Sequence, residues 1–129
     1  MSNRNIALNF LESFSSGDPD VVASHVSENF QNIQISLLGD DCTGRDAYRQ
    51  RLVGFFSTFR QLSYTAEEII VEGDKVAIQY TMSFEEKNTP MKIRGAMVLV
   101  VEDDLITVRT DYWDGLTYLR QTGIDYKNP

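Results

Sequence analysis

At 129 residues and 42% hydrophobic composition, the chain has the size of one domain, expected over residues 1–129. Such a domain buries roughly two-thirds of the surface it exposes when unfolded and needs no disulfide or metal staple. A net charge of −7 without a Lys/Arg stripe argues against a nucleic-acid footprint or an anionic membrane surface and leaves neutral or apolar partners.

Cys42 is the only cysteine, so no intramolecular disulfide can form and a reducing compartment is expected. The segment "MSNRNIALNF" turns polar too early for a signal peptide, and no apolar run reaches the roughly 18 residues of a membrane span. These features predict a soluble cytoplasmic protein with no membrane partner.

In chain order, Ala7, Phe10, Leu11 and Phe14 fall at i, i+3, i+4 and i+7 and predict an amphipathic helix that stops at Gly17. Asp18 as N-cap, Pro19 at the first helical position and Asp20 in the first turn start a short second helix. "NFQNIQISL" has the period of a strand with one wet or functional face. Ile33 and Ile35 alternate there with Asn32, Gln34 and Ser36, and which set joins Phe30 on the inside is left open. "GDDCTGRD" lacks the spacing of a calcium loop and reads as solvated. Gly44, Arg45 and Asp46 then start a third helix, carried by Tyr48, Leu52, Phe55 and Phe59.

From Leu62 the pattern is extended, and "VEGDKVAIQYTMSFEE" predicts a hairpin turning at Gly73-Asp74. Val76, Ile78, Tyr80, Met82 and Phe84 share one face of its second strand; Met91, Ile93, Gly95, Met97 and Leu99 share one face of the next. Asp103-Asp104 turns the chain into the last strand, within "VRTDYWDGLTYLRQ". Helices followed by an antiparallel meander predict an α+β arrangement with the helices on one sheet face. The opposite set, Ala96, Val98 and Val100, then Ile106, Val108 and Tyr112, is also apolar, whereas an exposed antiparallel face is normally polar. A homodimer through the outer sheet face is therefore expected.

The order of elements, with "GRDAY" (44–48), "VEGDKVA" (71–77) and "DYWDGLTYLRQ" (111–121), resembles the SnoaL-like branch of the nuclear transport factor 2-like superfamily over nearly the whole chain. The resemblance implies a cone-shaped α+β barrel: three N-terminal helices close a curved sheet around a central apolar pocket. It implies a small hydrophobic molecule as partner and no cofactor. The superfamily hosts cyclases, isomerases, epoxide hydrolases, dehydratases and non-catalytic association domains, so function has to be argued from the pocket.

Set against the "WRDYFD" of limonene epoxide hydrolase, "RTDYWD" puts Asp111 at a catalytic acid's position, with Arg109 and Trp113 facing inward beside it. That enzyme's partner arginine and second aspartate fall on Ile78 and Tyr80, so the relay is incomplete here; its water-holding tyrosine and asparagine correspond to Asn32 and Gln34. Ketosteroid isomerase needs two pocket carboxylates, where this chain has Asn32, Gln34, Ile35 or Ser36 and, at the second place, Ala96. A SnoaL-type cyclase uses one pocket aspartate, a role Asp111 can fill, but its assisting histidine has no counterpart. The only histidine, His25, ends the second helix, without a second His or Cys at ligand spacing, so no metal is expected.

The resulting catalytic set is Asp111 as acid/base, Arg109 tuning it and Tyr80 donating to a ligand oxygen. The ligand-binding set is Asn32, Gln34, Met82, Ile93, Met97 and Trp113. The competing reading makes Arg109–Asp111 a structural ion pair, Tyr80 plain core and the methionines gap fillers of a non-catalytic binding or association module.

Overall fold

The computed structural model describes residues 1–123; residues 124–129, the end of the expected domain, lie outside the described residues. The helices are α1 (Asn3–Ser13), α2 (Pro19–Ala23), α3 (Arg45–Thr58) and α4 (Gly115–Thr122). The strands are β1 (Val26–Gln34), β2 (Cys42–Thr43), β3 (Arg60–Glu72), β4 (Lys75–Glu86), β5 (Thr89–Glu102) and β6 (Leu105–Trp113).

The first two helices begin and end on local chemistry. Ser2 caps α1 by accepting the Asn5 N–H at 3.1 Å, and the predicted stripe of Ala7, Phe10, Leu11 and Phe14 is buried. A 3-10 turn over Phe14–Ser16 closes at Gly17, whose φ of 66° is free of Cβ strain only for glycine. Asp18 accepts the Asp20 N–H at 2.9 Å, with Pro19 at the first position of α2.

The six strands form one curved sheet in the order β2-β1-β6-β5-β4-β3. β3 to β6 are an antiparallel meander, and β1 returns parallel to β6. The edges β2 and β3 do not pair among the described residues, so the cone is unclosed and α1 and α3 complete its wall. The hairpin connections Lys87-Asn88 and Asp103-Asp104 take positive φ at both residues, matching the twist of the strands they join.

The inner face carries the core. Val76, Ile78, Tyr80, Met82 and Phe84 of β4 and Met91, Ile93, Met97, Leu99 and Val101 of β5 are all buried. On β1 the open register resolves with Phe30 and Asn32 inside and Ile35 half exposed. No helix among the described residues is long and apolar enough to cross a membrane.

Two features depart from the sequence expectation. Ile106, assigned above to the outer face, is fully buried, because the β5–β6 register shifts by one residue between Val100 and Val101. The extra residue in β6 turns Ile106 inward while Arg109 and Asp111 keep their inward side. The stretch after Trp113, for which no element was expected, forms a helix. Asp114 caps α4, accepting the Thr117 N–H at 3.0 Å and the Thr117 hydroxyl at 2.5 Å.

Candidate functional site

A cavity of about 410 Å³ lies between α3 and the inner face of the sheet. Its wall is mainly aromatic, with Phe14, Phe55, Phe59, Tyr64 and Tyr118 facing the polar residues Asn32, Gln34, Arg109 and Asp111. Alternation along β6 points Arg109 and Asp111 to the same side, and they are 5% and 4% exposed, the only buried charged residues among those described.

Both carboxylate oxygens of Asp111 are engaged. Oδ2 accepts from Arg109 Nη2 at 3.0 Å and Oδ1 accepts from the Tyr80 hydroxyl at 2.5 Å. Arg109 Nη2 also donates to Tyr64 Oη at 3.3 Å, and the guanidinium carbon lies 5.4 Å from the Phe14 ring centroid and 6.0 Å from that of Phe10. Tyr80 reaches Asp111 from two strands away only because Gly95 lies between them. A Cβ at Gly95 would sit 2.6 Å from Tyr80 Oη, 2.8 Å from Tyr80 Cζ and 3.0 Å from the Trp113 Cα.

The electrostatics follow from charge held in an apolar wall. Burial works against the Arg109 cation, but the Asp111 carboxylate beside it outweighs that penalty and holds the guanidinium protonated. Burial raises the Tyr80 phenol far above its ordinary range, and the adjacent Asp111 charge raises it further. Tyr64 is pushed up to about 12 by burial, with Arg109 opposing. These phenols therefore remain protonated donors at physiological pH.

A second polar string runs from β6 to the loop before β2. Trp113 Nε1 donates to Gln34 Oε1 at 2.9 Å, and Gln34 Nε2 donates to Asn32 Oδ1 at 3.0 Å. The Gln34 backbone N–H donates to Asp41 Oδ1 at 2.7 Å, while Arg51 donates to the carbonyls of Asp40 and Asp41. The "GDDCTG" loop is thus tied down, and Leu38, Gly39 and Asp40 form part of the cavity wall.

Of the expected residues, Asp111, Arg109, Tyr80, Asn32, Gln34, Met82 and Trp113 line the cavity together. Ile93 and Met97 do not; both are fully buried in the layer beneath, Met97 cross-strand from Asp111 and Ile93 from Met82. Sequence reasoning missed Tyr48 and Tyr64 as cavity residues. The available signal for Tyr48 was the set of rings along α3, with Phe55 and Phe56, where a packed core more often carries aliphatic side chains; Tyr64, the lone ring of β3, carried none. His25 sits between α2 and β1, where its carbonyl accepts the Ile106 N–H at 2.9 Å. No cluster of three metal-ligating side chains occurs among the described residues.

This arrangement offers a carboxylate for moving a proton and an aromatic container for an apolar molecule. A model of the SnoaL-like domain matches residues 7–109. The chain belongs to the SnoaL-like family. The match ends two residues before Asp111, so it identifies the cone and not the acid. Among solved structures, the SnoaL-like chain is similar to a hypothetical protein of ketosteroid isomerase-like fold from Catenulispora acidiphila, in complex with trimethylamine: TM-score 0.85, 19% identity, 93% of each chain covered. It is also similar to PrhC from Penicillium brasilianum, with TM-score 0.83, 16% identity and 94% and 85% of the two chains covered. An LEH-like epoxide hydrolase from M. tuberculosis gives TM-score 0.80 and 16% identity, covering 92% and 87%. At these identities the likeness is one of fold. No curated protein matches the chain significantly.

Proposed function

We propose that this SnoaL-like protein binds an apolar carbonyl compound in its cavity and moves a proton on it, in an isomerisation, cyclisation or dehydration, with Asp111 as acid/base. The observation that carries the reading is one buried carboxylate in an otherwise aromatic wall, charge-balanced by Arg109 and held by Tyr80. Arg109 orients the acid and fixes its charge; Asn32, Gln34 and Trp113 position the ligand. The Catenulispora relative's complex with a small organic amine supports a ligand-holding use of the cone. The lone cysteine fits a cytoplasmic setting.

Proton transfer is read by deuterium exchange at the α-carbon of α-tetralone in heavy water. Wild type should accelerate exchange, and Asp111→Asn should abolish the acceleration while ligand affinity stays within about tenfold, because a lost proton-transfer group acts on the transition state. Acceleration that survives the substitution removes Asp111 from this role. One observation favours a non-catalytic binding module instead: both Asp111 oxygens already accept a hydrogen bond, as in a structural ion pair. Binding by wild type without exchange is its signature.

The same proposal includes a second copy of the chain on the outer sheet face. Val98, Val100 and Val108 are only partly covered there, and Tyr112 and Ile35 are 51% and 52% exposed. Val98→Glu should convert a dimer to monomer or aggregate in light scattering. An unaltered dimer in that variant would place the interface elsewhere.

A further inference from the structure

Tyr118 of α4 stands between two hollows. It lines the cavity of about 410 Å³, and it also lines an outer cleft of about 680 Å³ between the end of α3, the β4–β5 hairpin and α4. The two spaces adjoin at a second point, where Phe84 of the cavity pairs across strands with Met91 of the cleft.

Tyr118 is the loosest part of that wall. Phe59 and Phe84 pack with ring centroids 4.6 Å apart, whereas Tyr118 meets Phe59 at 6.1 Å and Trp113 at 6.0 Å, both edge-on. Its ring is latched by the hydroxyl, which donates to Oε1 of Glu86, a residue of the cleft, at 2.6 Å. Burial and the Glu86 carboxylate keep that phenol protonated, so it stays a donor throughout the physiological range. The helix itself is anchored without Tyr118. Gln121 accepts the Lys92 N–H at 3.0 Å and donates to the Lys92 carbonyl at 2.9 Å, and the Asp114 N–H donates to the Arg94 carbonyl at 3.1 Å. No residue of α4 is buried, so turning the Tyr118 side chain breaks one hydrogen bond and two edge contacts while the helix keeps its place.

We infer that Tyr118 is a movable partition that sets the length of the ligand. Turned aside, it joins the cavity to the cleft, and the site then takes an elongated ketone with its ring system in the cavity and a neutral, oxygen-bearing chain in the cleft. The inference rests on the reading that the cavity binds an apolar carbonyl compound, and it adds the second half of that molecule. The chemistry of the chain follows from the lining of the cleft. Ser57, Thr58, Thr89 and Gln121 offer hydrogen bonds, while Glu86 and Lys87 balance in charge, so neither an acidic nor a basic chain is favoured.

The test compares α-tetralone with the same ketone carrying a hydroxyhexyloxy chain on its aromatic ring, by NMR titration of the indole N–H of Trp113, the only tryptophan. Both should bind wild type. Tyr118→Ala removes the partition and should strengthen binding of the chain-bearing ketone about tenfold, whereas α-tetralone, which needs only the cavity, should gain nothing. Tyr118→Phe keeps the ring and loses the latch; it should give a smaller gain in the same direction, and it decides the matter should the alanine variant not fold. Thr89 lies on the same side of β5 as Met91, so Thr89→Phe fills the cleft and should weaken the chain-bearing ketone alone. Exclusion of the chain-bearing ketone from wild type, no gain in either Tyr118 variant, or indifference to Thr89→Phe overturns the movable partition, and binding of α-tetralone then leaves the cavity reading intact. Binding of neither ketone overturns the cavity reading and this inference with it.

Discussion

The β4–β5 hairpin and the β1–β6 seam belong to one sheet, yet their inner faces differ in kind. The hairpin pairs without a register shift from Lys75↔Val100 to Glu86↔Thr89, and its inner face is apolar apart from the Tyr80 hydroxyl. The seam is parallel, shifts register between Val26 and Gln31, and turns Asn32, Gln34, Arg109 and Asp111 inward. Apolar side chains on the hairpin are stabilised by burial alone. Polar ones on the seam must find partners, and they recruit them from β3 and β4, from Tyr64 and Tyr80. The difference teaches that the candidate chemistry sits where the sheet's local rules break, with the regular half serving as scaffold.

The largest test of that contrast removes one side of the buried pair. Arg109→Met conserves bulk but leaves the Asp111 carboxylate uncompensated, and should destabilise the fold by about 3–5 kcal/mol in denaturant titration. Adding Asp111→Asn should recover a substantial part of the loss. A single variant within about 1 kcal/mol of wild type would mean that the pair is screened and that seam and hairpin do not differ energetically.

A smaller effect probes the point where the two halves meet. Gly95→Ala drives a Cβ toward the Tyr80 hydroxyl, so Tyr80 must give up Asp111 or the strands must part, at about 1–3 kcal/mol. Combined with Tyr80→Phe, the losses should fall short of their sum, since both break the same hydrogen bond. Ile78→Val, in the scaffold half, should cost about 0.5–1.5 kcal/mol and leave ligand binding as it was. Additive losses for Gly95→Ala and Tyr80→Phe would detach the glycine from the site.

The smallest effect concerns pH, and it arises outside both halves. Desolvation lowers the pKa of His25 below its ordinary 6.5, so the unfolded chain binds the proton more readily than the folded one. Stability from this group is present above 6.5 and is lost as pH falls from there toward the lower folded value. His25→Gln should flatten that part of the stability profile. An unchanged slope would assign it to other groups; Asp20, Glu67 and Asp114, all with lowered pKa values, act only at more acidic pH, near 3.8 to 4.5 and below.

Much of the site was legible because alternation is a local rule. Once β4 and β6 are strands, Tyr80, Arg109, Asp111 and Trp113 must share the inner face, and Asp18, Pro19 and Gly17 mark helix boundaries by their own backbone chemistry. Ile106 was misplaced for the same reason, since alternation propagates an error past any bulge. α4 carried a legible signal in Asp114 and Thr117, to which no element was assigned.

By itself the sequence determined most of the element types, though not β2 or α4, together with the inward side of Asp111 and the α+β class, all of which depend on neighbours a few residues apart. Only the tertiary structure decided that β1 lies parallel to β6 with its polar set inside, and that Gly95 lets Tyr80 cross to Asp111. It alone decided that Ile93 and Met97 lie under the cavity rather than in its wall. Those outcomes depend on residues brought together from different strands, 31 positions apart for Tyr80 and Asp111, which no local pattern encodes. They are set by how a curved sheet and its packed helices share one interior, where each polar group's partner is a matter of geometry rather than of its neighbours in the chain.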